Sequence, residues 1–250
     1  MSSDTPDPSE LLVYLWYHLR GSILTGSCRL WVWSHGRLKK SVVLSINQEV
    51  RELADIAVTK KVLVILGSPR RNGNSAALAA RIARGAESLG GEVETVFLQE
   101  LDIIPCRGCD TCKKRDSKGC AINDDMQDIY LKLIRSDAWV IASPVYWFTM
   151  SAQTKIFMDR CYALPAYADN PFAGKRIAIA MSYGDADAVR SGCVNALRTF
   201  QDAYRYTGSK LVGMVYGSAV GAGEIENNEV LMREAEELGK RLVAPSRRMA

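Results

Sequence analysis

The feature that most constrains this chain is a fivefold alternation of short apolar runs with helix-length amphipathic segments, beginning near residue 60. Lys61-Val62-Leu63-Val64-Ile65-Leu66 is an unbroken apolar run closed by Gly67, the pattern of a strand buried on both faces. An alanine-rich helix is predicted from Asn74 to Ser88, capped by Asn74 or Ser75. Glu92 to Leu98 alternates and is valine-rich, giving a second strand. Asp124 and Asp125 read as caps of a helix to Arg135, and Ala138 to Ala142 is the third strand. Ser151 caps a helix to about Tyr162. Lys175 to Met181 and Leu211 to Tyr216 are strands four and five, with helices over Asp187 to Tyr204 and Asn227 to Leu242. Strands that alternate with helices demand an α/β fold, a doubly wound five-stranded parallel sheet with helices on both faces. The expected strand order is 2-1-3-4-5.

At 250 residues the chain suits one large domain with or without an appendage, and its core needs no disulfides. A net charge of +4, scattered along the chain, gives no basic stripe for nucleic acid. Runs such as Lys113-Lys114-Arg115 read first as a solvated face. Seven cysteines, four of them between Cys106 and Cys120, do not form a secreted disulfide framework. They point to a reduced, cytoplasmic chain with one metal or redox site. The only histidines, His18 and His35, precede the domain, so no Ser/His/Asp or Cys/His catalysis is expected within it.

Residues 1–58 read as an extension to a domain spanning 59–250. Leu11 to Leu19 is apolar, but Arg20 ends the run short of the roughly 18 residues a membrane helix requires. Asp4, Asp7 and Glu10 occupy the place where a secretory signal is positive. Neither export nor a membrane span is expected. Two readings stand: a helical appendage, or upstream sequence translated from a misassigned start. The second is preferred because a full domain begins near Val58, a residue a GTG initiator would encode.

In an open doubly wound sheet, ligands lie beyond the carboxyl ends of the strands where the order reverses, here between the first and third strands. The loop after the first strand is Gly67-Ser68-Pro69-Arg70-Arg71-Asn72-Gly73-Asn74-Ser75. It is neither a Walker A loop nor a dinucleotide fingerprint. It is a hydroxyl- and amide-rich turn into a helix N-terminus, suited either to a phosphate or merely to capping. Ser68, Asn74 and Ser75 can donate to a phosphate and Arg70 can neutralise it. The loop after the third strand, Ser143-Pro144-Val145-Tyr146-Trp147-Phe148, offers main-chain donors and an aromatic wall to a flat heterocycle.

With Ala152-Gln153-Thr154-Lys155, Phe157-Met158-Asp159-Arg160 and Val215-Tyr216-Gly217, these loops resemble the NADPH-dependent FMN reductase superfamily. The resemblance covers about residues 60 to 245 and is nearer to its iron–sulfur flavoproteins and multimeric flavodoxins. It implies a flavodoxin-like fold and a bound FMN. By matching position, Ser68, Arg70, Asn74 and Ser75 hold the FMN phosphate. Pro144, Val145, Tyr146 and Trp147 lie along the isoalloxazine ring, and Ser182, Tyr183 and Gly184 close near it. Tyr146 and Tyr183 are candidates for contact with the nicotinamide or acceptor. The resemblance further implies a homodimer or homotetramer.

Cys106-x2-Cys109-x2-Cys112-x7-Cys120, within an insertion over residues 105–123, is the sharpest local pattern. Three thiolates at three-residue intervals and a later fourth can hold a [4Fe–4S] cluster. The last gap is longer than in bacterial ferredoxins, and Ala121 replaces their proline. Iron–sulfur flavoproteins resemble it better. A cluster-free thiol or disulfide relay and a four-cysteine zinc site remain alternatives. Cys161 and Cys193 read as inert small hydrophobes. The expected activity is hydride transfer from NADH or NADPH to FMN, then on to a quinone, flavin or other acceptor. The alternative is an electron carrier reduced by ferredoxin. An N-terminal mass measurement on the native protein checks the start: a mass beginning near Val58 is expected, and one beginning at Met1 overturns it.

Overall fold

The computed structural model describes residues 59–245. The described residues belong to a unit that begins at Val58. The reading of residues 1–58 lies outside the described residues.

Five parallel strands form the sheet: β1 (Lys61–Leu66), β2 (Glu92–Phe97), β3 (Ala138–Tyr146), β5 (Arg176–Tyr183) and β6 (Lys210–Ser218), in the order β2-β1-β3-β5-β6. This is the expected arrangement with one addition. A sixth strand of two residues, β4 (Thr149–Met150), folds back antiparallel on the end of β3. The helices are α1 (Asn74–Glu87), α2 (Met126–Arg135), α3 (Ala152–Arg160), α4 (Cys193–Tyr206) and α5 (Glu229–Val243).

The central strands are buried on both faces, and the alternation of their side chains makes two unequal cores. On one face Trp139, Ile141, Ile177, Ile179 and Met181 pack against Tyr130, Phe157 and Phe200. Trp139 finds a partner for its ring N–H in the Ser136 hydroxyl at 2.9 Å. On the other face Ala138, Ala142, Ala178 and Ala180 are small, and α1 and α5 press down onto them. These two helices also cross each other closely. A Cβ on Gly85 would stand 2.0 Å from the Glu236 carbonyl oxygen, and one on Gly239 would stand 1.9 Å from that of Ile82.

Four expectations need correction. The third strand does not stop at Ala142 but runs to Tyr146, because β1 ends opposite Ala142 and leaves β3 free to extend. Alternating backbone direction turns Pro144 toward that vacant side, where a residue without an N–H sacrifices no ladder bond. The fourth helix starts at Cys193, not Asp187. Asp187 instead accepts the N–H groups of Val189 and Arg190 at 2.8 Å, and Gly192 at φ 77° breaks the chain direction before α4. Helix α3 ends at Arg160 and continues as a 3-10 segment, Cys161–Ala166, containing Pro165. Neither Asn74 nor Ser75 caps α1: Gly73 is the N-cap, with no side-chain bond.

The glycine crossing makes a direct prediction. Ala is the better helix former by about 1 kcal/mol, but a methyl group facing a backbone carbonyl forces the helices apart, which costs up to about 3 kcal/mol. Gly239→Ala is therefore expected to lower stability by about 1–2 kcal/mol, read from the midpoint of a urea unfolding curve. An unchanged or raised midpoint would show that α5 slides without penalty.

Candidate functional site

In the order β2-β1-β3 the winding of the sheet reverses at β1, and the two loops beyond the parallel strands β1 and β3 lie side by side. They are joined directly: the Gly67 N–H donates to the Ala142 carbonyl at 2.8 Å. A chain of buried hydroxyls then locks the turn after β1 to the start of α3. The Ser151 hydroxyl donates to the Gly67 carbonyl at 2.5 Å, and the Ser151 N–H donates to the Ser143 hydroxyl at 3.0 Å. Ser151 also caps α3 by accepting the Thr154 N–H at 3.2 Å. Gly67 has to be glycine, since a Cβ there would stand 1.9 Å from the Thr154 hydroxyl.

Within the turn, the Ser68 hydroxyl is buried and accepts the Arg70 N–H at 3.0 Å, keeping its own proton free to donate. Ser75 is buried at the first turn of α1, whose leading N–H groups have no intrahelical acceptor. Arg70 is exposed on the rim. Arg71, in contrast, is taken up by Glu100 and by the Phe97 ring, 4.6 Å away. The Asn74 side chain bonds to the loop after β6. Its amide donates to the Gly221 carbonyl at 2.8 Å and the Ala219 carbonyl at 3.3 Å, and its oxygen accepts the Ile225 N–H at 3.3 Å. It ties the loop after β6 to the turn after β1.

Pro144 is buried, while Val145 and Tyr146 pair with Met150 and Thr149 in a tight hairpin rather than lying in an open loop. Trp147 and Phe148 form its tip with φ of 47° and 65°, an arrangement of the type that glycine or asparagine usually occupies. Two features that sequence patterns did not reveal hold it. Asn195 donates to the Phe148 carbonyl at 3.1 Å, and Gly192 leaves room for the Phe148 backbone, 2.5 Å from where its Cβ would be. Trp147 is 92% exposed. Ser182 and Tyr183 are the last residues of β5 and Gly184 begins the loop; Ser182 lies in register with Pro144 on one side and Gly217 on the other. Burial, with Cys193 and Tyr216 nearby, pushes the Tyr183 phenol up, so it is a neutral donor at physiological pH.

The cysteine segment lies apart from these loops and has its own buried anchor. Arg160, at the end of α3, is 1% exposed and pairs through both terminal nitrogens with Asp124. The same guanidinium donates to the Ile104 carbonyl at 2.7 Å and to the Cys120 sulfur at 3.6 Å. Asp124 also accepts the Ile104 N–H at 3.0 Å, and Asp125 accepts that of Asp102 at 2.7 Å. The segment is thus closed at its neck. The two aspartates are cross-braces rather than the simple helix caps expected, although Asp124 also accepts the Met126 N–H at 3.2 Å. Tyr167 and Gln127 complete the anchor: the Cys120 N–H donates to the Tyr167 oxygen at 3.0 Å, and Gln127 donates to the Cys120 carbonyl at 3.1 Å.

Cys106, Cys109, Cys112 and Cys120 all line one small cavity of about 40 Å³. Burial first, then the proximity of Cys120, pushes the Cys112 thiol up, whereas the Thr111 N–H lowers that of exposed Cys109. All four are free thiols. Among the described residues no three His, Cys, Asp or Glu side chains stand close enough together to hold a metal ion. The donor set fits an iron–sulfur group in number and kind, four thiols lining one cavity. Cys161 and Cys193 are buried in the apolar core, as expected of inert hydrophobes.

A doubly wound sheet with this turn at its switch point defines a flavodoxin-like protein. The family model for NADPH-dependent FMN reductase matches residues 60–231. An iron–sulfur flavoprotein of Archaeoglobus fulgidus is 31% identical over 186 residues, covering 73% of this chain and 78% of that one. Another from the same organism is 30% identical over 197 residues, covering 73% and 94%. Among solved structures, an NAD(P)H:quinone oxidoreductase from Methanothermobacter marburgensis shares the fold with a TM-score of 0.56 at 16% identity, covering 75% of this chain and 99% of that one. The chain belongs to the NADPH-dependent FMN reductase family and is an NAD(P)H-dependent FMN oxidoreductase of that family.

The clamp predicts how stability follows pH. Burial opposes the Asp124 charge, but the Arg160 hydrogen bonds and the Ile104 N–H outweigh it and hold the carboxyl below its ordinary range. A depressed carboxylate stabilises the fold fully above its unfolded value of about 4 and loses that contribution as pH falls through the lower folded value. Asp124→Asn leaves the Arg160 charge buried without a counterion, so it is expected to cost about 3–5 kcal/mol at neutral pH. It should also lose less on acidification than the wild type. Urea midpoints at neutral and acidic pH check both signs, and parallel pH profiles would remove the clamp from the account.

Proposed function

We propose that the crevice between the 67–75 turn and the β3 hairpin binds FMN, and that the chain uses it to take hydride from NADH or NADPH and pass electrons to a quinone, flavin or other acceptor. The observation that carries this reading is the direct coupling of a phosphate-type turn to a protruding strand end at the one point where the sheet order reverses. Ser68, Ser75 and the leading N–H groups of α1 would hold the phosphate, with Arg70 offsetting its charge. Asn74 acts at one remove, holding the loop after β6 beside them. Pro144 to Trp147 would flank the ring on one side and Ser182 to Gly184 on the other. FMN, when bound, accepts hydride and can release electrons in pairs or singly. Neutral Tyr183 and half-exposed Tyr146 would meet the nicotinamide or the acceptor.

Convergence of four thiols on one cavity favours a second reading, in which the segment holds a [4Fe–4S] cluster and the protein is an electron carrier reduced by ferredoxin. The names of the Archaeoglobus relatives support it. A thiol relay and zinc are the other uses of the same donors. On this reading Cys106, Cys109, Cys112 and Cys120 are the ligands. The compartment is cytoplasmic, since these thiols need to stay reduced. Among the described residues no helix is long and apolar enough to cross a membrane. A homodimer or homotetramer is the proposed assembly, as the family resemblance implies.

Anaerobic purification followed by an absorption spectrum and iron, sulfide and zinc analysis separates these readings. Flavin bands that NADPH bleaches rapidly without ferredoxin are expected. Slow bleaching that ferredoxin accelerates would favour the carrier, and flavin bands without iron would remove the cluster. A protein that stays colourless after FMN reconstitution would overturn both.

A further inference from the structure

The largest cavity among those described in this unit, about 1130 Å³, borrows no wall from residues 67–75 or 143–150. It lies instead between the cysteine segment on one side and the 3-10 segment after α3 and the C-terminal end of α4 on the other. Its volume is at the upper end of small-molecule sites, which run to roughly 1,000 Å³.

The two sides differ in chemistry. One presents Lys113, Lys114 and Arg115, and the other presents Tyr162, Phe172, Tyr204 and Tyr206. The acidic groups facing the cavity are Asp110 and Asp159, and both are already paired. Lys113 stands 3.2 Å from Asp110 and 4.9 Å from the centre of the Tyr162 ring, while Lys155 holds Asp159 at 2.7 Å. Lys114 and Arg115 have no carboxylate partner among the described residues. The lip therefore carries two uncompensated positive charges. Opposite it, Tyr162 is 52% exposed and Tyr206 is 93% exposed, leaving aromatic faces open to solvent beside a buried apolar floor that includes Tyr204.

We infer that this cavity is a second ligand site, for a small planar aromatic molecule that carries a negative charge. Aromatic walls favour a flat ring by offset or edge contact, and the unpaired lysine and arginine favour an anionic substituent. Neutral rings satisfy only the first condition and inorganic anions only the second. Cys106 and Cys112 share the wall, so a ligand here touches the cysteine segment. That such a ligand is the electron acceptor rests on the function proposed above; that the cavity binds it does not.

The test is calorimetric titration of anthraquinone-2-sulfonate into the full-length protein as purified, at low and at high salt. Binding of one molecule per chain is expected, weakened by salt because the charged lip is exposed. Lys114→Ala/Arg115→Ala, on the surface and outside the core, is expected to weaken binding roughly two- to thirty-fold and to abolish most of the salt dependence. Tyr206→Ala should weaken binding and leave the salt dependence in place. A probe that binds wild type and the double variant equally has found another site, such as the flavin crevice, and overturns the inference. So does the absence of binding, including the case in which a second copy of the chain covers this face. Loss of NADPH oxidation with binding intact would count against the proposed function alone.

Discussion

Arg160 brings a full positive charge into a position sealed from solvent, and the cysteine-bearing half of the molecule is organised around meeting that demand. Uncompensated, such a charge would cost several kcal/mol. Asp124 answers it with both oxygens, the Ile104 carbonyl takes one further hydrogen, and the Cys120 sulfur another. The Arg160 carbonyl in turn accepts the Tyr130 hydroxyl at 3.0 Å, and Tyr130 stacks on Tyr167 at 4.6 Å. One guanidinium thereby links α2, α3, the segment after β2 and the 3-10 turn before β5. Its Nε still lacks a partner, a residual cost within a buried network that is otherwise satisfied.

The crevice at the switch point is built on neutral chemistry instead. There the fixed elements are hydroxyls, amides and glycines: Ser143, Ser151, Gly67 and Asn74. None carries charge, and the groups there with capacity for an anion are the leading N–H groups of α1 and Arg70 at the rim. The two halves of the molecule thus differ in kind, one locked by an ion pair and one by short dipoles.

The strands were readable because burial on both faces produces continuous apolar runs, and the five runs placed the order of the sheet correctly. What escaped was set by neighbours far along the chain. Ser143-Pro144 looks like a turn in isolation and is a strand only because β1 ends at Leu66. Asn74 looks like a cap or phosphate donor, yet its partners are Ala219, Gly221 and Ile225, about 150 residues away. Asp124 and Asp125 carry the usual signature of a helix start, which hid their role as braces across the neck. Arg160 was visible only as part of a family-like motif, since no local pattern announces that an arginine will be buried. Gly192 and Asn195, which hold the hairpin tip, have no sequence signal at all.

The closed neck of the cysteine segment has an evolutionary corollary. Because Ile104, Asp102, Asp124 and Asp125 are fastened together, everything between them is a loop whose ends are already joined. Lengthening such a loop adds only slowly to its closure entropy, about 0.6 kcal/mol per doubling. The stretch between Cys112 and Cys120 is therefore free to grow, shrink or change its charge without disturbing the sheet. The fold carries this segment as a cassette that can change while the crevice at the switch point stays unaltered.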